Sequence, residues 1–202
     1  MKKLDAVYWN SQYLNQQTGW DIGYASPAII EYFQQIENKS ASILIPGAGH
    51  GWEAEKLWTM GFKNLFVLDF SEKAQHSFKT RVPDFPDPQI LVEDFFHHQG
   101  CYDYIVEQTF FSSLPLDVRE AYIKQVHKIL KPQGRLIGLL FNHHFSHDGP
   151  PFGASASEYE MLFSPYFRFQ YFNIAYNSIK ARNKRELFIL FKKREVVVGQ
   201  KQ

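Results

Sequence analysis

Three glycines and an aspartate stand where a cofactor that contains adenosine could bind. Gly47, Gly49 and Gly51 alternate in a loop that follows a short apolar run, and a second apolar run ends at Asp69. Glycine lets the backbone approach a ligand because no Cβ intervenes. A carboxylate at the tip of the next strand can accept hydrogen bonds from both hydroxyls of a ribose. The pattern therefore predicts a nucleoside site at the carboxyl edge of a parallel sheet.

The glycine loop lacks the residues that hold phosphate groups. Residues 47–51 read G-x-G-x-G, and no G-K-[ST] sequence supplies a lysine for phosphate. S-adenosylmethionine contains adenosine but no phosphate, so it fits this loop better than NAD or ATP. The alternative is a strand–turn–helix joint whose glycines serve packing alone.

Strand and helix patterns alternate along the chain and predict the fold that positions these residues. The predicted strands cover residues 42–46, 64–69, 89–93, 102–107, 135–141, 167–176 and 187–192. The predicted helices cover residues 26–37, 51–60, 71–81, 116–130 and 155–163. This alternation predicts an α/β fold, a Rossmann-like doubly wound sheet that is mostly parallel, with helices on both faces and an antiparallel C-terminal hairpin strand.

Polar residues stand at the ends of consecutive predicted strands. Asp69 closes the second strand, Asp94 follows the third and Glu107 closes the fourth. Ligands of open parallel sheets lie outside the carboxyl ends of the strands. The agreement of several strand ends is a stronger indication of a site than any one of them.

Composition indicates an ordinary globular enzyme. The chain has 202 residues, 45% of them hydrophobic and 21% charged, which suffices for one domain with its own core. The formal net charge of +1 provides no basic surface for nucleic acid. Neither a signal peptide nor a membrane span is evident, so we expect a cytoplasmic protein, whose oligomeric state the sequence leaves open. We predict a single domain over residues 1–195, with an N-terminal cap at 1–25 and a tail at 196–202.

No metal centre is predicted. Cys101 is the only cysteine, which excludes an intrachain disulfide and a cysteine-rich zinc site. Residues 143–148 contain three histidines and an aspartate, but a solvated loop or a pocket wall explains them without a metal. Histidines 97 and 98 are expected in a solvated loop.

Seven segments together resemble one family of enzymes. They read W-D-x-G-x-x-x-P at 20–27, I-P-G-A-G-H-G at 45–51, L-D-F-S at 68–71, E-D-F-F at 93–96, Y-D-Y-I-V-E-Q-T-F-F at 102–111, K-P-Q-G at 131–134 and D-G-P-P-F at 148–152. The chain resembles class I S-adenosylmethionine-dependent methyltransferases, and more narrowly the thiopurine S-methyltransferase family with its halide and thiol methyltransferase branch. One departure is Asp148, which stands where the family usually has the first of two glycines.

The resemblance implies a role for each residue singled out above. The glycine loop would pass under the methionine part of the cofactor, Asp69 would bind the ribose, and Asp94 with Phe95 would hold the adenine. The implied cofactor-binding residues are Trp9, Trp20, Gly47, Ala48, Gly49, Gly51, Asp69, Phe70, Asp94, Phe95 and Glu107. The predicted catalytic residues at the transfer site are Glu107, Thr109 and His143. The sequence leaves open whether a glutamate or a histidine, His143 or His144, serves as a base.

The acceptor site is predicted from aromatic residues and from the chemistry of the transfer. Tyr13, Phe110, Phe111 and Phe152 are candidate lining residues, with core packing as the alternative for each. Methyl transfer from a sulfonium needs mainly orientation, and a soft nucleophile needs little or no base. We therefore expect a small acceptor such as a thiol, sulfide, thiocyanate, thiopurine or halide. The alternatives are methylation of a small molecule on oxygen or nitrogen, and a cofactor-binding module with little turnover that acts through a partner.

Overall fold

A seven-stranded sheet runs through residues 4–195, which the computed structural model describes. Its strands are β1 (Ile43–Pro46), β2 (Leu65–Leu68), β3 (Ile90–Leu91), β4 (Tyr102–Gln108), β5 (Leu130–Phe141), β6 (Phe167–Ile174) and β7 (Glu186–Lys193). The tail predicted at 196–202 lies outside the described residues, as do residues 1–3. The prediction of a single domain stays a prediction.

The order of the strands creates a crevice at the carboxyl edge of the sheet. The order is β3-β2-β1-β4-β5-β7-β6. Strands β1 to β5 pair in parallel, and β7 runs antiparallel to both β5 and β6. The chain therefore reverses direction across the sheet between β1 and β4, at the switch point where ligands bind in such folds. This topology confirms the predicted Rossmann-like fold and its C-terminal hairpin.

Seven helices occur among the described residues 4–195. They are α1 (Ala6–Leu14), α2 (Pro27–Gln34), α3 (Trp52–Thr59), α4 (Glu72–Arg81), α5 (Phe110–Ser113), α6 (Arg119–Ile129) and α7 (Ala156–Phe163). Local sequence explains several of their starts. Proline is the first residue of α2, and Ser71 caps α4 by accepting a hydrogen bond from the Ala74 N–H. Ser155 and Glu158 form a capping box at α7.

Several elements differ from the sequence prediction, and the short helix α5 (Phe110–Ser113) is an addition to it. β3 has two residues instead of five, because a short 3₁₀ turn (Asp87–Gln89) precedes it and a bend at Glu93 follows it. β5 begins at Leu130, directly after α6, and its pairing with β4 is irregular over residues 131–134. Helix α1 was not predicted, because no residue in it is buried and it therefore shows no apolar stripe.

Helices cover both faces of the sheet. The core on one face contains Phe33 of α2 and Leu57 of α3, and the core on the other contains Tyr122 of α6 and Phe163 of α7. Every residue of β1 is buried, which explains its continuous apolar sequence. Among residues 4–195, none of the helices combines the length and the apolar character needed to cross a membrane.

Gly138 of β5 allows β4 and β5 to pair closely beside the site. A Cβ at this position would lie 1.9 Å from the Glu107 carbonyl oxygen. We expect Gly138→Ala to lower the free energy of unfolding by about 1–3 kcal/mol, since one strand must move away from the other. Urea denaturation measures this loss. Gly19→Ala is the matched control because nothing lies within 4 Å of its added Cβ; equal stability of the two variants would contradict the close-approach explanation.

Candidate active site

A cavity of about 830 Å³ opens at the carboxyl edge of the sheet. Glycine, acidic and aromatic residues from the ends of β1 to β4 form its floor, and α1 and the loop after β5 form its walls. The predicted site residues that line it are Trp9, Tyr13, Trp20, Gly47, Asp69, Phe70, Asp94, Phe95, Thr109 and Phe110. Ala48 and Gly49 line a smaller cavity of about 50 Å³, which shares Trp20, Gly47 and Thr109 with the first.

Five predicted residues lie outside both cavities. Gly51 begins α3 and packs against Phe78, while Phe111 is fully buried in the core. The Phe152 N–H donates to the Ser112 carbonyl oxygen at 2.6 Å. The other two are Glu107 and His143, whose surroundings are described below.

Other side chains pack so closely against the glycine loop that a Cβ on Gly47 or Gly49 would clash with them. A Cβ on Gly47 would lie 2.4 Å from Cδ2 of Phe110, and a Cβ on Gly49 would lie 2.8 Å from the Tyr13 hydroxyl oxygen. Both glycines have φ values in the left-handed region, +58° and +55°. Glycine at both positions therefore lets the Phe110 ring and the Tyr13 hydroxyl pack directly against the loop. Gly47 also lines the larger cavity, and residues 47–51 contain no lysine or arginine for phosphate. These features fit S-adenosylmethionine.

Asp69 is held in place by the same loop. Its Oδ2 accepts a hydrogen bond from the Gly49 N–H at 3.0 Å, and its Oδ1 accepts one from the Ser71 N–H at 2.8 Å. Burial raises the pKa of Asp69, and these two hydrogen bonds oppose the rise. Each carboxylate oxygen retains a second lone pair. Asp69 can therefore accept the two hydroxyls of a ribose while it keeps the loop in position.

An aspartate that the sequence reasoning did not select fastens the tryptophan segment to the glycine loop. Asp21 pairs with His50 through its Oδ2 and accepts a hydrogen bond from Nε1 of Trp52 at 2.8 Å. Burial would raise the pKa of Asp21, but hydrogen bonds from His50, Gly23 and Trp52 outweigh it and hold that pKa below its ordinary value. The adjacent Trp20 thus stays over the smaller cavity. The W-D-x-G motif was the available signal for this role.

Glu107 is buried beneath the cavity floor. Its Oε1 accepts a hydrogen bond from the Phe111 N–H at 2.8 Å, and its Oε2 accepts one from the Tyr122 hydroxyl at 2.5 Å. Burial raises the pKa of Glu107 to about 7. The carboxyl group therefore holds the turn between β4 and α5, and this turn presents Thr109 and Phe110 to the cavity.

Two arginines line the cavity on the side of β5 and β7. Arg182 is buried, donates to the Trp20 carbonyl oxygen at 2.5 Å and pairs with Glu186 at 3.3 Å. Arg185 is exposed and donates to Nε2 of His143 at 2.6 Å. None of the acidic residues within 4–195 forms an ion pair with Arg185. Both lie in the hairpin loop before β7, where the sequence predicts a solvated turn.

The geometry of His143 does not favour a role as a base. Burial and the neighbouring guanidinium of Arg185 lower its pKa, so the ring is neutral. Its Nε2 already accepts a hydrogen bond from Arg185, which leaves the proton on Nδ1. That Nδ1 is buried and has no hydrogen-bond partner among residues 4–195. His143 instead supports Arg185 at the cavity rim.

The expected solvated loop at residues 97 and 98 is wrong for His98. His97 is exposed, but His98 is 5% exposed and both of its ring nitrogens contact other side chains. The partners of His98 are Glu93 and Tyr102, which lie on either side of a turn, so the sequence pattern does not reveal these contacts. Within the described chain, no group of three or more His, Cys, Asp or Glu residues is arranged to hold a metal ion.

Comparison with known proteins relates this geometry to a family. The thiopurine S-methyltransferase family matches residues 4–200. The Arabidopsis thaliana protein named "Probable thiol methyltransferase 2" is 29% identical over 162 residues, which cover 78% of this chain and 71% of that protein. A thiopurine S-methyltransferase of Acinetobacter baylyi is 25% identical over 182 residues, with 78% of this chain and 82% of that protein covered.

A solved structure supports the same fold. The 1,6-didemethyltoxoflavin-N1-methyltransferase of Burkholderia thailandensis is similar with a TM-score of 0.76 and 16% identity, over 94% of this chain and 87% of that one. At this identity the likeness concerns the fold alone. The family match covers nearly the whole chain, so this protein belongs to the thiopurine S-methyltransferase family of S-adenosylmethionine-dependent methyltransferases, which confirms the family, enzyme class and cofactor predicted from the sequence.

Proposed function

We propose that this enzyme methylates a small organic thiol that it binds as the thiolate anion. The observation that carries the proposal is the distribution of charge in one cavity. Asp69 and Asp94 follow β2 and β3, whereas Arg185 precedes β7 on the other side of the switch point. Four strand spacings separate β2 from β7, about 19 Å in a regular sheet. This span suits an extended cofactor with an anionic acceptor beyond it.

The cofactor half of the cavity is assigned to the residues around the glycine loop. Gly47 lines the cavity beside the methionine part, and Asp69 accepts the ribose hydroxyls. Asp94 and Phe95 receive the adenine. When bound, S-adenosylmethionine supplies a methyl group on a positively charged sulfur. The faces of nearby aromatic rings attract such a cation.

The acceptor half combines a cation with apolar surface. A guanidinium near a thiol favours the ionised form, whose ordinary pKa is about 8.5. Arg185 can therefore bind the thiolate and lower the pKa of the thiol, so no separate base is needed. The apolar walls cover part of the sulfur, and an ionic interaction that is partly shielded from water is stronger than one in bulk water.

The lining of the acceptor half favours an organic acceptor over a halide or thiocyanate. The cavity of about 830 Å³ holds the cofactor and the acceptor together, so the acceptor is identified by the surfaces next to Arg185. Phe141, Phe145, Pro150 and Pro151 line the part next to Arg185. Flat apolar surfaces of this kind suit an aromatic or heterocyclic ring that carries the sulfur.

An acceptor panel tests the proposal. Formation of S-adenosylhomocysteine is measured with thiophenol, 6-mercaptopurine, sulfide, iodide and thiocyanate, and with phenol and aniline as matched oxygen and nitrogen acceptors. We expect turnover with the organic thiols at the highest kcat/KM and none with phenol or aniline. Equal or faster turnover of phenol or aniline contradicts sulfur specificity. Cofactor binding without turnover on any acceptor would support the partner-dependent module instead.

Asp69→Ala should weaken cofactor binding. We expect the free energy of S-adenosylhomocysteine binding to fall by about 1–3 kcal/mol in calorimetric titration, because a hydrogen-bonded carboxylate is removed. Asp87→Ala is the control, since the Asp87 side chain is 83% exposed, pairs with Lys79 and does not line the cavity. An unchanged dissociation constant for the folded Asp69→Ala variant would overturn the ribose assignment.

Arg185→Met should raise the KM for a thiol acceptor about tenfold at neutral pH and leave S-adenosylhomocysteine affinity unchanged. The loss should shrink at high pH, where the free thiol is already ionised. Lys184→Met is the matched control, because Lys184 belongs to the same loop but does not line the cavity. An equal change in KM for both variants would show that KM depends on the net charge of the loop and not on the position of Arg185 in the cavity.

The raised pKa of Glu107 predicts a pH dependence of stability. A carboxyl group whose pKa rises on folding favours the native state fully below its ordinary pKa of 4.5, and this contribution is lost as pH rises through about 7. The free energy of unfolding should therefore decrease between pH 5 and 8, and decrease less in Glu107→Gln. In the wild type the hydrogen bond from Tyr122 lowers the Glu107 pKa. Tyr122→Phe removes this bond and raises that pKa further, so the pH range over which stability falls should extend to higher pH. Identical slopes for wild type and Glu107→Gln would exclude Glu107 as the titrating group.

A further inference from the structure

A hydrogen-bonded network with a buried histidine, His98, at its centre adjoins the segment assigned to adenine. Residues 93–98 leave β3, and Glu93, Asp94 and Phe95 line the cavity. His98 ends this segment and does not line the cavity, yet it is 5% exposed. Burial of a polar side chain at the end of a short, largely exposed segment costs free energy unless hydrogen bonds compensate for the lost water.

Both nitrogens of the His98 ring are engaged. Nδ1 lies 2.5 Å from Oε1 of Glu93, and Nε2 lies 2.8 Å from the hydroxyl oxygen of Tyr102. Burial raises the pKa of Tyr102 to about 12, so its phenol keeps the proton. The Tyr102 hydroxyl can therefore donate to Nε2, while the Nδ1–H donates to the Glu93 carboxylate. Glu93, His98 and Tyr102 thus form a continuous chain of hydrogen bonds from the cavity wall to the start of β4.

The surrounding backbone is adapted to this chain. The imidazole and the Tyr102 ring stack with centroids 5.7 Å apart and planes at 26°. A Cβ on Gly100 would lie 2.5 Å from the Tyr102 ring and 2.8 Å from Nε2 of His98, so glycine permits the stacking. Nε2 of Gln125 donates to the carbonyl oxygens of Phe95 and His98 at 2.9 and 2.8 Å. Tyr102 of β4 thus holds the His98 side chain of this segment, and Gln125 of α6 holds its backbone.

We propose that His98 is a positioning residue for cofactor binding, which holds Glu93 and the adjoining adenine segment in the binding orientation before the cofactor arrives. The proposal rests on the assignment of adenine to Asp94 and Phe95. A segment that is already ordered loses little conformational entropy on binding, so the benefit appears in affinity. His98 touches neither the transfer site nor the acceptor wall, and the rate of methyl transfer does not depend on it.

Two substitutions break the chain at different points. His98→Gln removes the ring and its link to Glu93, and Tyr102→Phe removes only the hydroxyl while it keeps the aromatic ring. We expect the dissociation constant of S-adenosylhomocysteine to rise about tenfold in His98→Gln and about fivefold in Tyr102→Phe. His97→Gln is the matched control, because the neighbouring His97 side chain is 86% exposed.

Two readouts separate positioning from a general loss of stability. The kcat at saturating cofactor and the KM for the acceptor should stay at wild-type values in all three variants. 5′-Methylthioadenosine, which contains the adenine and ribose but no amino acid, should lose affinity by the same factor as S-adenosylhomocysteine. Unchanged dissociation constants in folded His98→Gln and Tyr102→Phe overturn the proposal, as does a parallel fall of kcat and affinity. Failure of the wild-type protein to bind S-adenosylhomocysteine would instead overturn the assignment of the cofactor site itself.

Discussion

The hydrogen bond between the Gly49 N–H and the Asp69 carboxylate connects the two parts of the chain on which the site depends. It joins the loop after β1 to the tip of β2, beside the backbone hydrogen bond that the Ala48 N–H donates to the Leu68 carbonyl oxygen at 3.1 Å. Once the loop is fixed, Gly47 meets Phe110 and Gly49 meets Tyr13. The floor and two walls of the cavity follow from this contact. Asp69 therefore contributes to the shape of the site before it contributes to ligand binding.

Local sequence was sufficient for the sheet and for the floor of the site. Residues at strand tips converge because the strands are parallel, so the positions of Asp69 and Asp94 follow from the strand pattern alone. The contributions of Arg185 and His98 could not be predicted in this way. Arg185 reaches the cavity only because β7 pairs antiparallel with β5 across the sheet. His98 is buried because Tyr102 begins the next strand directly beneath it, a contact without periodicity.

Glu107 shows that a strand pattern can predict the position of a residue without predicting the surroundings of its side chain. An acid at the end of β4 is near the predicted transfer site in sequence, and the resemblance implies that it contacts ligand. In the structure its two oxygens accept hydrogen bonds from the Phe111 N–H and the Tyr122 hydroxyl, and its role toward a ligand stays a prediction. The strand pattern predicts the position of Glu107 in the sheet. Its side chain is buried because α6 packs on that face of the sheet, and this tertiary contact leaves no local sequence pattern.

The exposed position of Arg185 affects the end of the catalytic cycle as well as its start. A thiolate and a sulfonium carry opposite charges, whereas a thioether and S-adenosylhomocysteine carry neither of these charges at sulfur. If the acceptor is a thiolate, as proposed, Arg185 attracts it before the transfer and has no ionic partner in the methylated product, since no carboxylate among residues 4–195 pairs with this guanidinium. Because the guanidinium is exposed, water can solvate it again after the transfer. For such an acceptor, the change of charge in the reaction favours departure of the product and limits inhibition by it.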